Sequence, residues 1–213
     1  MSKIVALKLA DRRNKVTVLF DNSSSFFWGK DVVREGGLHV GQELPADQIQ
    51  ALKQRDQYYA GLNAALRYLT YRPRGKAEVE RKLRQRGFAR DTVSSVIRTL
   101  EEKKLIDDTS FARFWTENRQ SFSPRSRRLI RQELRQRGIN AQLSEEATSD
   151  LDDEDNAYRA ALKKSRLLAS LGHGEFCQRL SRHLQLKGFS YSIIGAVVER
   201  LWQELQTVEK VND

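Results

Sequence analysis

Val79-Glu80-Arg81-Lys82-Leu83-Arg84-Gln85-Arg86-Gly87-Phe88 is the stretch of this chain whose reading decides its fold. Two later stretches align with it. They are Ile130-Arg131-Gln132-Glu133-Leu134-Arg135-Gln136-Arg137-Gly138-Ile139 and Leu180-Ser181-Arg182-His183-Leu184-Gln185-Leu186-Lys187-Gly188-Phe189, at steps of 51 and 50 residues. In each, an apolar residue lies four before a central leucine, which places both on one helix face. A basic residue then precedes a glycine, and an apolar residue follows it. Glycine past the last turn takes the left-handed conformation that ends a helix. Lys or Arg before it suits the negative end of the helix dipole.

The flanks repeat as well. Val93, Val96, Ile97 and Leu100 follow Gly87 at the same offsets as Ile194, Val197, Val198 and Leu201 follow Gly188. Each set makes one apolar helix face. The second copy is weaker, with Leu143, Ala147 and Leu151 among many acids. Pro73-Arg74-Gly75 and Pro124-Arg125-Ser126 start ten residues before their leucines, and Gly174 holds that place in the third copy. Apolar helices over 62–71, 110–120 and about 154–170 come before these turns. Each unit thus reads as helix, turn, helix, glycine turn, helix, and three units form a tandem array of three-helix repeats.

The N-terminal region differs. Lys3–Leu9 and Lys15–Phe20 are short β-rich runs around a polar, turn-like Ala10–Asn14, and Ser25–Val33 could supply a third strand. This predicts a small antiparallel sheet that needs something to pack on. Gly36, Gly37 and Gly41 mark a linker. Pro45 then opens a helix whose face carries Ile49, Leu52, Tyr59, Leu62, Leu66 and Leu69. Gly61 leaves open whether that helix breaks. The expected organisation is a β-rich element over 1–44, a connecting helix over 45–61, and repeats over 62–106, 107–152 and 153–213, in a mainly α chain.

Composition narrows the function. Of 213 residues, 31% are charged and 39% hydrophobic, which suits thin helical units better than one thick core. The single cysteine, Cys177, excludes an internal disulfide framework and reads as a small buried hydrophobe. No apolar run has the length of a signal-peptide core or a membrane helix, so a soluble cytoplasmic protein is expected. The net charge of +10 is concentrated: residues 67–139 hold 20 Lys and Arg against 9 Asp and Glu, while the remainder holds 18 against 19. Such a field attracts polyanions, of which nucleic acid is the commonest.

Two segments carry it: Arg72, Arg74, Lys76, Arg81, Lys82, Arg84 and Arg86, and then Arg125, Arg127, Arg128, Arg131, Arg135 and Arg137. Arginine outnumbers lysine eleven to two there, as expected where bidentate contacts to phosphate or carboxylate matter. Arg128, Arg131 and Arg135, at i, i+3 and i+7, can form a basic stripe. The third unit is lighter, with Arg179, Arg182 and Lys187, so the repeat fold does not itself demand the charge. A helix-turn-helix reader would carry Asn, Gln, Ser and Arg for base edges on its exposed N-terminal part. Pro124–Arg128 (PRSRR) offers phosphate chemistry and so predicts sequence-neutral contact.

Enzyme chemistry finds little footing. His39, His173 and His183 are scattered, and neither CxxC nor HExxH occurs. Gly29-Lys30 has Ser24 where a P-loop needs glycine. Asp107-Asp108 could in principle hold a metal for a nuclease, but its position before Thr109-Ser110 and the apolar Phe111, Phe114 and Trp115 favours a helix cap. Asp150–Asp155 reads as a solvated start to the third unit, or as a counter-charge to the basic region. No cofactor is expected.

The residues 65–74 (ALRYLTYRPR) with Glu78–Leu83, then Leu105-Ile106-Asp107-Asp108 with Phe111-Ala112, then Pro124 with 128–138 (RLIRQELRQRG), resemble the RecX family. The resemblance runs from about residue 62 to 205, and the third unit matches in spacing more than identity. The N-terminal sheet and Gly41 linker are similar to an extension in longer members. The resemblance implies a non-enzymatic regulator that lodges in the groove of the RecA filament on single-stranded DNA. It would restrain RecA's ATPase, strand exchange and promotion of LexA cleavage, in DNA repair and SOS control, with a monomer expected. The Arg72–Arg86 and Arg125–Arg137 segments would make the contacts to RecA or DNA. The alternative is a stand-alone, sequence-neutral DNA-binding protein. The acidic stretch 145–155 departs from the pattern and puts the regularity of the second unit's last helix in doubt.

Overall fold

The computed structural model describes residues 1–10 and 14–212, with side chains through Thr207. The centre of the turn-like stretch Ala10–Asn14 lies outside the described residues. Two compact units divide the chain, Met1–Ile106 and Asp107–Asp213.

The first unit opens with β1 (Ser2–Leu9), β2 (Lys15–Phe20) and β3 (Ser25–Gly29). The sheet is larger than the two or three strands expected. A two-residue β4 (Glu43–Leu44), at the end of the stretch read as a linker, pairs with the start of β1. The order is β3-β2-β1-β4, antiparallel throughout. The third strand is shorter than expected, because Lys30–Glu35 coils into a one-turn helix, α1. Val32 of that helix is fully buried beneath the sheet's apolar face of Ile4, Val18, Phe20 and Trp28.

Helix α2 (Ala46–Leu69) runs unbroken through Gly61. Its first half supplies what the sheet packs on, through Ile49, Leu52 and Tyr59. Asp56, only 8% exposed, fixes the seam by accepting from Lys15 Nζ at 2.9 Å and from the Gly29 amide at 2.7 Å. The second half, with Ala64 and Ala65, packs against α3 (Lys76–Gln85) and α4 (Arg90–Glu102). A Cβ at Gly61 would stand 3.3 Å from Val96 Cγ2, so glycine here lets α4 approach. The helix tolerates it because both halves are held by packing.

The second unit holds two three-helix repeats. The first comprises α5 (Asp108–Phe122), α6 (Arg127–Gln136) and α7 (Ala141–Glu146). The second comprises α8 (Asp153–Leu167), α9 (His173–Leu186) and α10 (Tyr191–Asn212). Asp107 caps α5 by accepting from the Thr109 and Ser110 amides, the capping role that its spacing favours. Helix α7 has six residues where its counterpart α4 has thirteen. It stops within the acidic stretch, where Ser144, Ala147 and Thr148 stand in place of Val93, Val96 and Ile97, and the buried Thr148 hydroxyl donates back to the Ser144 carbonyl at 2.8 Å.

The three aligned stretches end in one geometry. Gly87, Gly138 and Gly188 have φ of 84°, 89° and 85°. In each, the glycine amide donates to the carbonyl three residues back (Arg84, Arg135, Gln185), and the next amide donates to that of the central leucine. This is the Schellman closure, with the apolar pair Leu83/Phe88, Leu134/Ile139 or Leu184/Phe189. The three leucines are at most 1% exposed.

Candidate nucleic-acid interface

The arginines that charge alone groups together separate into two kinds. In the first repeat, the Arg72 guanidinium donates through both terminal nitrogens to Glu78, at 3.1 Å each, and the Glu78 side chain is 9% exposed. Arg74 lies over the Tyr68 ring, 4.0 Å from its centroid, and donates to its hydroxyl at 3.1 Å. Lys76 pairs with Glu101 at 2.7 Å. These residues hold the α2–α3 turn and tie α3 to α4.

In the second repeat, Glu133 is a hub. It accepts from Trp115 Nε1 at 2.8 Å, Arg119 Nε at 2.8 Å, and Arg125 Nη1. The guanidiniums of Arg119 and Arg137 also pack on the Trp115 ring, at 4.3 and 3.6 Å. The aligned positions in the first repeat, one step of 51 earlier, are Tyr68, Arg74 and Lys82 for Arg119, Arg125 and Glu133. One spatial triad is thus built as a cation–π clamp in one repeat and as an ion-pair hub in the next. The Arg127 guanidinium donates to the Leu151 carbonyl and its amide to Asp153 at 2.6 Å. Arg131 turns to Thr148 Oγ1 at 2.8 Å and faces Glu145 at 3.9 Å, so the expected three-arginine stripe keeps two members in solvent.

The remaining predicted residues face water. Arg81 and Arg86 in the first repeat, and Arg128 and Arg135 in the second, are exposed. Among the described residues, no side-chain hydrogen bond or ion pair involves these four. Arg84, the counterpart of Arg135, makes only a surface pair with Glu80 one turn away, worth a few tenths of a kcal/mol. Arg128 and Arg135 are two turns apart on one face of α6, about 10 Å along its axis. They offer bidentate donors with nothing among the described residues to occupy them.

Asp107 serves as the helix cap of α5. Asp107 is held below the usual carboxylate range by the Ser110 hydroxyl at 2.6 Å, then by the amides of Thr109 and Ser110. Among the described residues no group of three or more His, Cys, Asp or Glu is gathered as a metal site, and no helix is long and apolar enough to cross a membrane. Cys177 is half-buried against the α8–α10 core, and burial raises its thiol pKa.

Comparison with known proteins places these repeats. Residues 62–100 match the family model described as RecX, first three-helix domain, and 107–147 that of RecX, second three-helix domain. Regulatory protein RecX of Bacillus licheniformis is 29% identical over 205 residues, covering 93% of this chain and 76% of its own. Its namesake in Clostridium perfringens is 26% identical over 207 residues, covering 94% and 97%. A crystal structure of regulatory protein RecX superposes with a TM-score of 0.68 at 25% identity, over 93% of this chain and all of that one. That of RecX from Lactobacillus salivarius gives 0.59 at 28% identity, over 69% and 97%. With two family repeats matched in order and relatives similar over nearly its whole length, the chain belongs to the RecX family of regulatory proteins.

Proposed function

We propose that this protein binds the RecA filament on single-stranded DNA and restrains its ATPase, strand exchange and coprotease activities, without catalysis of its own. It acts in the cytoplasm, as a monomer, in DNA repair and SOS control. The observation that carries the reading is the set of solvent-facing arginines, Arg81, Arg86, Arg128 and Arg135, on or capping the middle helices of two family repeats. Together with Arg84 they are assigned the contact to DNA phosphates or RecA carboxylates. Arg72, Arg74, Lys76, Arg125, Arg127, Arg131 and Arg137 shape the surface from within.

The test is RecA ATPase on single-stranded DNA with substoichiometric protein. Inhibition is expected, and the paired substitution Arg128→Glu/Arg135→Glu should relieve it. Unchanged ATPase, strand exchange and filament length would remove the reading. Tight, salt-dependent DNA binding alongside that result would replace it with the stand-alone DNA-binding alternative.

A further inference from the structure

The second unit holds a cationic concavity that the arginine-rich segments do not include. We infer that this cleft is a second nucleic-acid contact, seating the phosphates of a single strand while the Phe122 ring stacks on a base. The cleft measures about 450 Å³ and lies between the end of α5, one face of α8, and α9. Helix α8 supplies Arg159 and Lys163, one turn apart on one face, with Lys164 beside them. Helix α9 supplies His183, and Lys187 follows it at the glycine turn. No Asp or Glu lines the cleft.

The charge there is poorly compensated. Arg159 pairs with Asp155 at 3.0 Å. Among the described residues, no carboxylate is within ion-pair distance of Lys163, Lys164 or Lys187. Lys187 is half-buried, and its ammonium is held below the ordinary lysine range by that burial and by the nearby Arg125 and Arg119. Those two arginines share the one carboxylate of Glu133, so a net positive charge stands behind the cleft. A phosphate seated here would relieve that repulsion, and lysines bind it as point charges without reading sequence.

Phe122 points to a single strand rather than a duplex. It ends α5 at the rim and is 81% exposed, with Leu167, 70% exposed, also lining the cleft. A large aromatic ring left in water among lysines forms the platform on which unpaired bases stack. In a duplex those base faces are already occupied. The inference shares single-stranded DNA with the proposed function, but its test contains no RecA, so the two fail separately.

The test uses the full chain and a fluorescein-labelled oligothymidylate, with anisotropy read across a salt titration. Lys163→Ala/Lys164→Ala removes two phosphate contacts. The slope of log affinity against log salt should fall by about 1.4, since each contact on a single strand contributes about 0.7. The same contacts correspond to about 25-fold weaker binding near 0.1 M salt. Phe122→Ala should weaken binding about five-fold or more with the slope unchanged. Phe122→Trp should retain affinity and Phe122→Leu should lose it, which separates stacking from any general apolar role. Parental affinity in both the lysine pair and Phe122→Ala, or no binding by the parent, would overturn the inference.

Discussion

Replacing Glu133 by alanine would unfasten the second unit from its hub. Three donors lose their acceptor: Trp115 Nε1, Arg119 and Arg125. The indole is the most costly, because Trp115 is only 9% exposed and is a neutral donor on a rigid ring that cannot turn to solvent as an arginine can. An orphaned buried donor costs roughly 1–3 kcal/mol. The arginine side chains are 20% and 31% exposed and can turn partly to solvent. Their loss is therefore discounted to roughly 0.5–1 kcal/mol each, below the value of a fully buried pair. The total is about 3 kcal/mol, which in a unit of roughly a hundred residues lowers Tm by about 12 °C. Glu133→Gln keeps one acceptor oxygen but no charge, and should fall about halfway between. Differential scanning calorimetry of the full chain reads both. A fall under about 4 °C for Glu133→Ala would refute the hub. The same argument makes Arg125→Ala destabilising, so lost binding in that variant says nothing about DNA until its melting has been compared.

Other expectations follow from the same geometry. Arg128→Glu/Arg135→Glu should leave the melting temperature within about 2 °C of the parent, since exposed substitutions away from special features stay within ~0.5 kcal/mol; a larger fall would mean these side chains have structural partners. Gly87→Ala should cost about 1–2 kcal/mol in urea denaturation, for the left-handed conformation alone. Gly188→Ala should cost about 1–3 kcal/mol more, because its Cβ would stand 2.7 Å from Ser126 Oγ and 2.8 Å from Leu129 Cβ; equal costs would contradict the close approach. Asp107 is held below its ordinary value of about 3.9, so its share of stability is complete above that pH and is lost as pH falls through the lower folded value. Asp107→Asn should flatten that part of an acid-unfolding curve, and an unchanged curve would deny the cap its role. His183 is pushed below the ordinary histidine pKa of about 6.5 by burial first, with Lys187 and Lys164 adding to it. It therefore stays neutral near pH 7, and stability declines only as pH falls from about 6.5 toward the lower folded value; an NMR titration midpoint above 6.5 would contradict that reading.

The helical skeleton is legible in sequence because its signals are local. The Leu–basic–Gly–apolar order encodes a turn closed within six residues, and Asp107 with Ser110 encodes a cap closed within four. The arginines are not legible in this way. Arg125 meets Glu133 eight residues on, and Arg127 meets the Leu151 carbonyl twenty-four residues on. An arginine that anchors a fold and one that meets a phosphate share the same flanking sequence, so charge marks the region without sorting its members. Helix α1 and strand β4 escape for another reason. Six and two residues are too short to display a period, and tertiary contacts define them: the packing of Val32 and Leu44, and the pairing of β4 with the start of β1. The cleft around Phe122 escapes because its cations come from α8 and the end of α9, about twenty residues apart, and neither helix is unusually basic alone.

The turn at Gly188 has a consequence for how such a chain can evolve. The Lys187 carbonyl accepts the Ser126 amide at 3.0 Å, and the glycine beside it has no room for a side chain. Gly87, with nothing within 4 Å of its added Cβ, carries no such seat. A duplicated repeat spliced in between α7 and α8 would have to reproduce that seat on both of its sides. The array has therefore lost the free extensibility of a simple solenoid at this joint, and the last two repeats are inherited as a single piece.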